Sequence, residues 1–190
     1  MNEPLMERFD AGLPGCYLLK AKVRPDARGR FVKTFHIDAF RALQLETVFA
    51  EEYFSVSRRH VLRGMHFQVP PHDHIKVAYC VQGRALDVIL DLRRGSPTYG
   101  RCASFVLSGD GGEIAYLPRG IAHGFLALED DVIMQYKVTS TYSPAHDRGI
   151  LWSSIDLSWP EPDPVISSRD AGFEPLIAFK TPFAFREIEK

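Results

Sequence analysis

RALDVILDLRRGSPTYG, residues 84–100, is the stretch that decides the fold. In its first half Leu86, Val88, Leu90 and Leu92 fall on one face and Asp87 and Asp91 on the other, the two-residue period of a β-strand. RRGSPTYG then stops the strand, because Gly, Ser and Pro in a cluster favour turns over ladder pairing. Outward from here the rhythm repeats. Cys102 to Leu107 forms a second apolar run and GDGG turns the chain. EIAYL (Glu113 to Leu117), AHGFLAL (Ala122 to Leu128) and VIMQYKV (Val132 to Val138) follow, separated by PRG and EDD. Short strands spaced by roughly ten residues predict a sandwich or barrel. In a small barrel alternate side chains of each strand enter the interior, so a polar residue on an otherwise apolar face is a site candidate. Tyr136 is one, sharing its face with Val132, Met134 and Val138.

The rest of the chain fits a single domain. Its 190 residues, 45% hydrophobic, suffice for one sizeable core. HIDAFRALQL (His36 to Leu45) predicts a short peripheral helix, with Asp38 as cap and Ile37, Phe40 and Leu43 facing inward. Asp156 to Asp170 is proline-rich yet apolar, and reads as a strap over the barrel. The domain therefore divides into N-terminal strands (1–60), a barrel core (61–140) and a C-terminal strap (141–190). With 23 basic and 24 acidic residues, a net charge of -1 and no basic run, nucleic acid is not an expected partner. No apolar run is long enough for a membrane helix and Met1 to Asp10 has no signal-like stretch, so a cytoplasmic location is expected. Cys16, Cys80 and Cys102 are odd in number and widely spaced, as buried thiols would be.

Two histidine-bearing segments carry the chemistry. RGMHFQVPPHDHIKVAYCVQG (Arg63 to Gly83) holds His66, His72 and His74, and GEIAYLPRGIAHGF (Gly112 to Phe125) holds His123. Their spacing resembles the two motifs of the cupin superfamily, small double-stranded β-barrels. Metal-binding cupins use a His-x-His pair, a glutamate and a second-motif histidine. His72, His74 and His123 suit that set, but Lys76 stands at the glutamate position and would repel a divalent ion, so no metal is expected. His72 and His74 then read as a solvated loop after Pro70-Pro71. An imidazole, an ammonium and a phenol remain, His66, Lys76 and Tyr136, a set suited to proton transfer beside a carbonyl. His66 could take a proton, Lys76 could stabilise the enolate oxygen, and Tyr136 could return a proton from the opposite face.

VLRGMHFQ (Val61 to Gln68) strongly resembles the signature of the dTDP-4-dehydrorhamnose 3,5-epimerase family of cupins. RPDARGRF (Arg24 to Phe31), residues 81–100, LPRGIAHGFLAL (Leu117 to Leu128), YKVTSTYSPAHDRGI (Tyr136 to Ile150) and SSRD (Ser167 to Asp170) resemble further family segments in the same order. The resemblance implies an all-β, cupin-type double-stranded β-helix, a jelly-roll barrel with short peripheral helices. It implies a cofactor-free isomerase acting on a nucleotide-diphospho-4-keto-6-deoxy sugar, at carbon 3, carbon 5 or both, in deoxysugar biosynthesis. By the same resemblance His66 is the base, Asp170 the aspartate that orients it, Lys76 the lysine near the ketone oxygen and Tyr136 the acid. Arg63, Gln68 and His123 match polar positions of the site, and Tyr142 an aromatic near the base. Arg28 and Phe31 match the ERGxFxE motif.

The nucleotide end departs from the family. Ala27 and Lys33 replace the two glutamates of that motif, and Glu51 and Tyr53 stand where glutamine and asparagine are usual. Each swap changes charge or bulk where a substrate would be read, which leaves the nucleobase, the sugar and the number of inverted centres open. The resemblance further implies a homodimer in which an N-terminal strand completes the partner's sheet. A metal-dependent cupin, a nucleotide-sugar 3,4-ketoisomerase and a non-catalytic sugar-nucleotide binding module are the competing readings.

Overall fold

Residues 4–186 are described by a computed structural model. The N-terminal part contributes β1 (Met6–Asp10), β2 (Tyr17–Ala21), the hairpin β3 (Val23–Asp26) and β4 (Gly29–Val32), helix α1 (Ile37–Ala42) and β5 (Glu51–Ser57). The central part supplies β6 (Leu62–Gln68), β7 (Lys76–Gln82), β8 (Arg84–Asp91), β9 (Cys102–Ser108), β10 (Glu113–Leu117), β11 (Ile121–Ala127) and β12 (Val132–Val138). β13 (Asp147–Gly149) and a short helix α2 (Ser168–Ala171) belong to the C-terminal strap. Two antiparallel sheets face each other, one ordered β1-β2-β10-β7-β12-β5 and the other β13-β6-β11-β8-β9. The fold is the cupin-type jelly roll, and the strands read from residues 84–138 fall within two residues of their expected bounds.

Three apolar clusters hold the layers together. Ile89, Leu107, Leu117, Phe125, Met134 and their neighbours fill the barrel between the sheets. A second cluster packs Phe40 of α1 against Leu19, Val77 and Ile114 on the outside of the six-stranded sheet. In the third, Ile155, Leu157, Trp159, Leu176, Phe179 and Phe183 of the strap cover Met65, Phe67, Val88, Leu90 and Leu92.

That third layer sets the orientation of β8. The apolar side of β8 faces the strap and Asp87 faces the barrel, because a strand covered on both sides buries both sets of side chains. Helix α1 differs from expectation. His36 occupies the cap position without a side-chain bond, and Asp38 lies inside the first turn, 3.7 Å from Arg41. Phe40 is buried edge-on against Phe35 and Phe49, and Leu43, just past the helix, packs half-buried against the same cluster, as expected. Ile37 is exposed, because six residues make less than two turns.

Candidate active site

A cavity of about 370 Å³ opens between the two sheets. The five-stranded sheet contributes Arg63, His66 and Gln68 from β6 and His123 from β11. The six-stranded sheet contributes Glu51, Tyr53 and Ser55 from β5, Lys76 from β7 and Tyr136 from β12. Tyr142, Asp147 and Arg169 line it from the C-terminal part.

Glycine sets the wall that carries the histidines. β6 and β11 pair with His66 opposite His123, and the register breaks just beyond, between His123 and Phe125. At this irregularity Gly64, with φ +146°, approaches Gly124 so closely that a Cβ would lie 2.5 Å from the Gly124 Cα. On the other side of β6, Gly149 pairs with His66, and its missing side chain leaves the space that the Phe173 ring fills. Phe173 in turn stands edge-on to the His66 imidazole, 5.7 Å between centroids.

His66 is held by a residue far along the chain. Asp170 Oδ1 lies 3.0 Å from His66 Nε2, and the carboxylate acts on the imidazole by hydrogen bonding and by charge. The carboxylate is itself fixed, since Gly64 N–H donates to Asp170 Oδ2 at 3.2 Å and Ser167 Oγ caps α2 by accepting from Asp170 N–H at 3.1 Å. Burial lowers the His66 pKa below 6.5, against the opposing pull of Asp170 and with help from Lys76 and Arg169. Neutral imidazole with Nε2 turned to a carboxylate leaves Nδ1 to accept a proton. Burial raises the Asp170 carboxyl, but the bonds from His66, Gly64 and Ser167 outweigh it and the group sits below its usual range.

Lys76 is buried, and burial pushes its ammonium down to about 8 although Asp87 and Asp147 pull the other way. Among the described residues no carboxylate stands within ion-pair distance of it, which leaves its charge to act on whatever enters the cavity. Tyr136 is buried in the opposite sheet from His66. Its ring stacks on Tyr53, 4.9 Å and 21° apart, and meets the edge of His123 at 6.0 Å. Burial drives the Tyr136 hydroxyl far above its ordinary value, with Tyr53 and Asp87 adding to the shift and Ser55 and Arg63 opposing it. It stays protonated as a donor.

The remaining expected residues divide into two groups. His123 Nε2 contacts Asp87 Oδ2 at 2.7 Å, and Arg63 donates to Ser57 Oγ at 2.9 Å and Val56 O at 3.2 Å. Glu51 accepts from Tyr142 N–H at 2.7 Å, and Gln68 accepts from Ser143 N–H at 2.6 Å while its amide nitrogen reaches His72 O at 3.0 Å and Thr141 O at 3.2 Å. These all border the cavity. Arg28, Phe31 and Lys33 do not. Arg28 is fully exposed and paired with Asp26 on the β3–β4 hairpin, where Phe31 and Lys33 are also exposed.

His74 is a correction. It was expected in a solvated loop, yet it lines the cavity, because Gln68 and Ser140 draw the loop inward and burial pushes its imidazole down to about 3. His72 instead packs its ring on His146, 4.5 Å away, and His123 is committed to Asp87. The three histidines of the metal reading therefore serve separate partners. Among the described residues no group of three or more His, Cys, Asp or Glu is placed to hold a metal ion.

Sequence reasoning missed Asp87, Asp147, Arg169 and Phe173. Asp87 carried a signal, a carboxylate alternating with apolar residues in a buried strand. Asp147 joins Tyr142 and Arg169, whose guanidinium is 3.1 Å from its Oδ2, and only the folded strap brings that pair to the mouth.

Comparison with known proteins gives the family. The family model for dTDP-4-dehydrorhamnose 3,5-epimerase matches residues 10–177. The chain belongs to the dTDP-4-dehydrorhamnose 3,5-epimerase family. Within that family it is 37% identical over 161 residues to the dTDP-4-dehydrorhamnose 3,5-epimerase of Shigella flexneri, covering 83% of this chain and 89% of the relative. It is also 37% identical to a dTDP-4-dehydrorhamnose 3-epimerase of Streptomyces niveus, over 84% of this chain and 78% of the other. Among solved structures, the dTDP-6-deoxy-D-glucose-3,5-epimerase of Legionella pneumophila in complex with dTDP-4-keto-L-rhamnose superposes with a TM-score of 0.90 at 27% identity, covering 96% of this chain and all (100%) of that one. Single-carbon and two-carbon epimerases thus both stand among its relatives.

Proposed function

We propose that this protein epimerises a nucleotide-diphospho-4-keto-6-deoxy sugar beside its ketone, with dTDP as the carrier that its relatives are named for. The observation that carries the reading is the placement of His66 and Tyr136 in opposite sheets across one cavity, with the Lys76 ammonium on its wall. Neutral His66 removes the proton on carbon 3 or carbon 5, the C–H electron pair moves into an enolate, and the negative charge gathers on the carbon 4 oxygen. Lys76 stabilises that oxygen electrostatically. Tyr136 then delivers a proton to the opposite face of the same carbon, the enolate collapses to the ketone, and the centre is inverted. Exchange with water returns the imidazolium and the tyrosinate to their starting forms.

Arg63 and Arg169 at the cavity suit a diphosphate. The exposed hairpin bearing Arg28 and Phe31, together with the exposed Phe54, Val56 and Val81 on the outer side of the six-stranded sheet, supports a homodimer in which the hairpin serves the second copy's site. Free Cys16, Cys80 and Cys102 suit a reducing compartment such as the cytoplasm. The test is incubation with dTDP-4-keto-6-deoxyglucose in deuterated water. Deuterium at carbon 3 or 5 is expected, falling by roughly 10² to 10⁴ in His66→Ala or Tyr136→Phe. An unlabelled substrate would overturn the assignment.

A further inference from the structure

Tyr53 lines the cavity and packs against the residue that returns the proton. Its backbone pairs with that of Tyr136 across β5 and β12, and the rings stack 4.9 Å apart at 21°. On its other strand neighbour Tyr136 is pinned by Ala78 of β7, and its ring edge is met by His123, itself anchored to Asp87. The acid ring is therefore packed on one face and along one edge. The base is equally fixed, between Asp170 and Phe173. The neighbouring cavity-facing residue of β5, Glu51, accepts from Tyr142 N–H at 2.7 Å.

A 4-ketohexose has two acidified carbons, one on each side of the carbonyl. One fixed base and one fixed acid can serve both only if the sugar ring turns within the cavity to present the second carbon. A tyrosine ring standing beside the acid, on the cavity wall, takes up space that a smaller side chain would leave for that turn. We infer that Tyr53 is a specificity-determining residue that restricts this site to one of the two carbons, by holding the Tyr136 ring in place and blocking the second presentation of the sugar. The inference rests on the epimerase reading above. Tyr53 remains 39% exposed on an edge strand, so replacing it leaves the barrel core intact.

Deuterium content at carbons 3 and 5 of dTDP-4-keto-6-deoxyglucose, followed with time in deuterated water, tests it. Wild-type protein and Tyr53→Phe, which keeps the stacked ring, are expected to label one carbon. Tyr53→Ala is expected to label both, with the rate at the second carbon rising at least tenfold relative to the first. Comparable labelling of both carbons by the wild type overturns the inference. So does a Tyr53→Ala protein, with unchanged circular dichroism, that still labels only the first carbon or labels neither. Absence of label at both carbons with wild-type protein instead overturns the epimerase assignment itself.

Discussion

Gly64 and Gly124 meet backbone to backbone, with no room for a Cβ between β6 and β11 at the point where His66 and His123 come opposite each other. Gly64→Ala adds a methyl group 2.5 Å from the Gly124 Cα at a φ of +146° that other residues rarely adopt. The substitution is expected to destabilise by about 2 kcal/mol or more. At roughly 2–4 °C per kcal/mol for a chain of this size, the melting temperature falls by at least about 4 °C, readable by calorimetry. The carbon-exchange rate falls with it as the histidine wall shifts. An unchanged melting curve would show that the strands can separate without cost.

Lys76 holds a charge in a buried place, and its pKa of about 8 stands below the 10.5 of a free lysine. The unfolded chain binds more protons than the folded one between those values, so stability rises with pH across that window and the ammonium is a cost below it. Lys76→Met is expected to raise stability by about 2–4 kcal/mol near neutral pH while removing the enolate partner and most of the activity. Denaturant titration paired with exchange rates checks both halves. A destabilised Lys76→Met protein would contradict the argument.

The pH profile should be a bell. The proposed mechanism needs neutral His66, whose pKa lies below 6.5, and charged Lys76, which loses its proton at about 8. Asp170 raises the His66 pKa against burial, so Asp170→Asn is expected to move the acid limb to still lower pH as well as reduce the plateau. A carboxylate with only a packing role would lower the plateau and leave the limb in place. Rates from pH 4 to 10 on both proteins separate the two.

Asp91 and Arg93 form a buried pair remote from the chemistry. Arg93 Nε and a terminal nitrogen donate to the two carboxylate oxygens at 2.8 and 2.7 Å, and Ser96 and Thr98 add hydroxyl donors at 2.6 and 2.7 Å. Asp91→Ala strands the Arg93 guanidinium inside the protein, which costs about 3–5 kcal/mol. Neither residue lines the cavity, so the rate per folded molecule is expected to change little. Thermal melts with active-site titration of the surviving enzyme check this, and a melting temperature within about 2 °C of wild type would mark the pair as neutral.

Much of the barrel was legible because strand period is a local property. Residues 84–138 announced their strands by alternation and their turns by Gly, Pro and Asp, and the structure keeps those bounds closely. Helix α1 was legible as an element and misread in detail, since capping depends on where the chain enters the first turn. The motif around His66 pointed to proton chemistry before any fold was known, by resemblance and by the residue types it brought together.

What the chain alone determined, then, was the all-β architecture, the family and the residue types able to move a proton beside a ketone. Tertiary structure decided which face of β8 meets the barrel, and so made Asp87 the partner of His123. It also brought Asp170 to His66 across 104 residues of sequence, folded His74 into the cavity, kept Arg28 and Phe31 outside it and stacked Tyr53 on Tyr136. The physical reason is that alternation says only that a strand has two faces. Which of them is buried, and against what, depends on the strap and the second sheet that cover it, and those contacts join segments far apart in the chain.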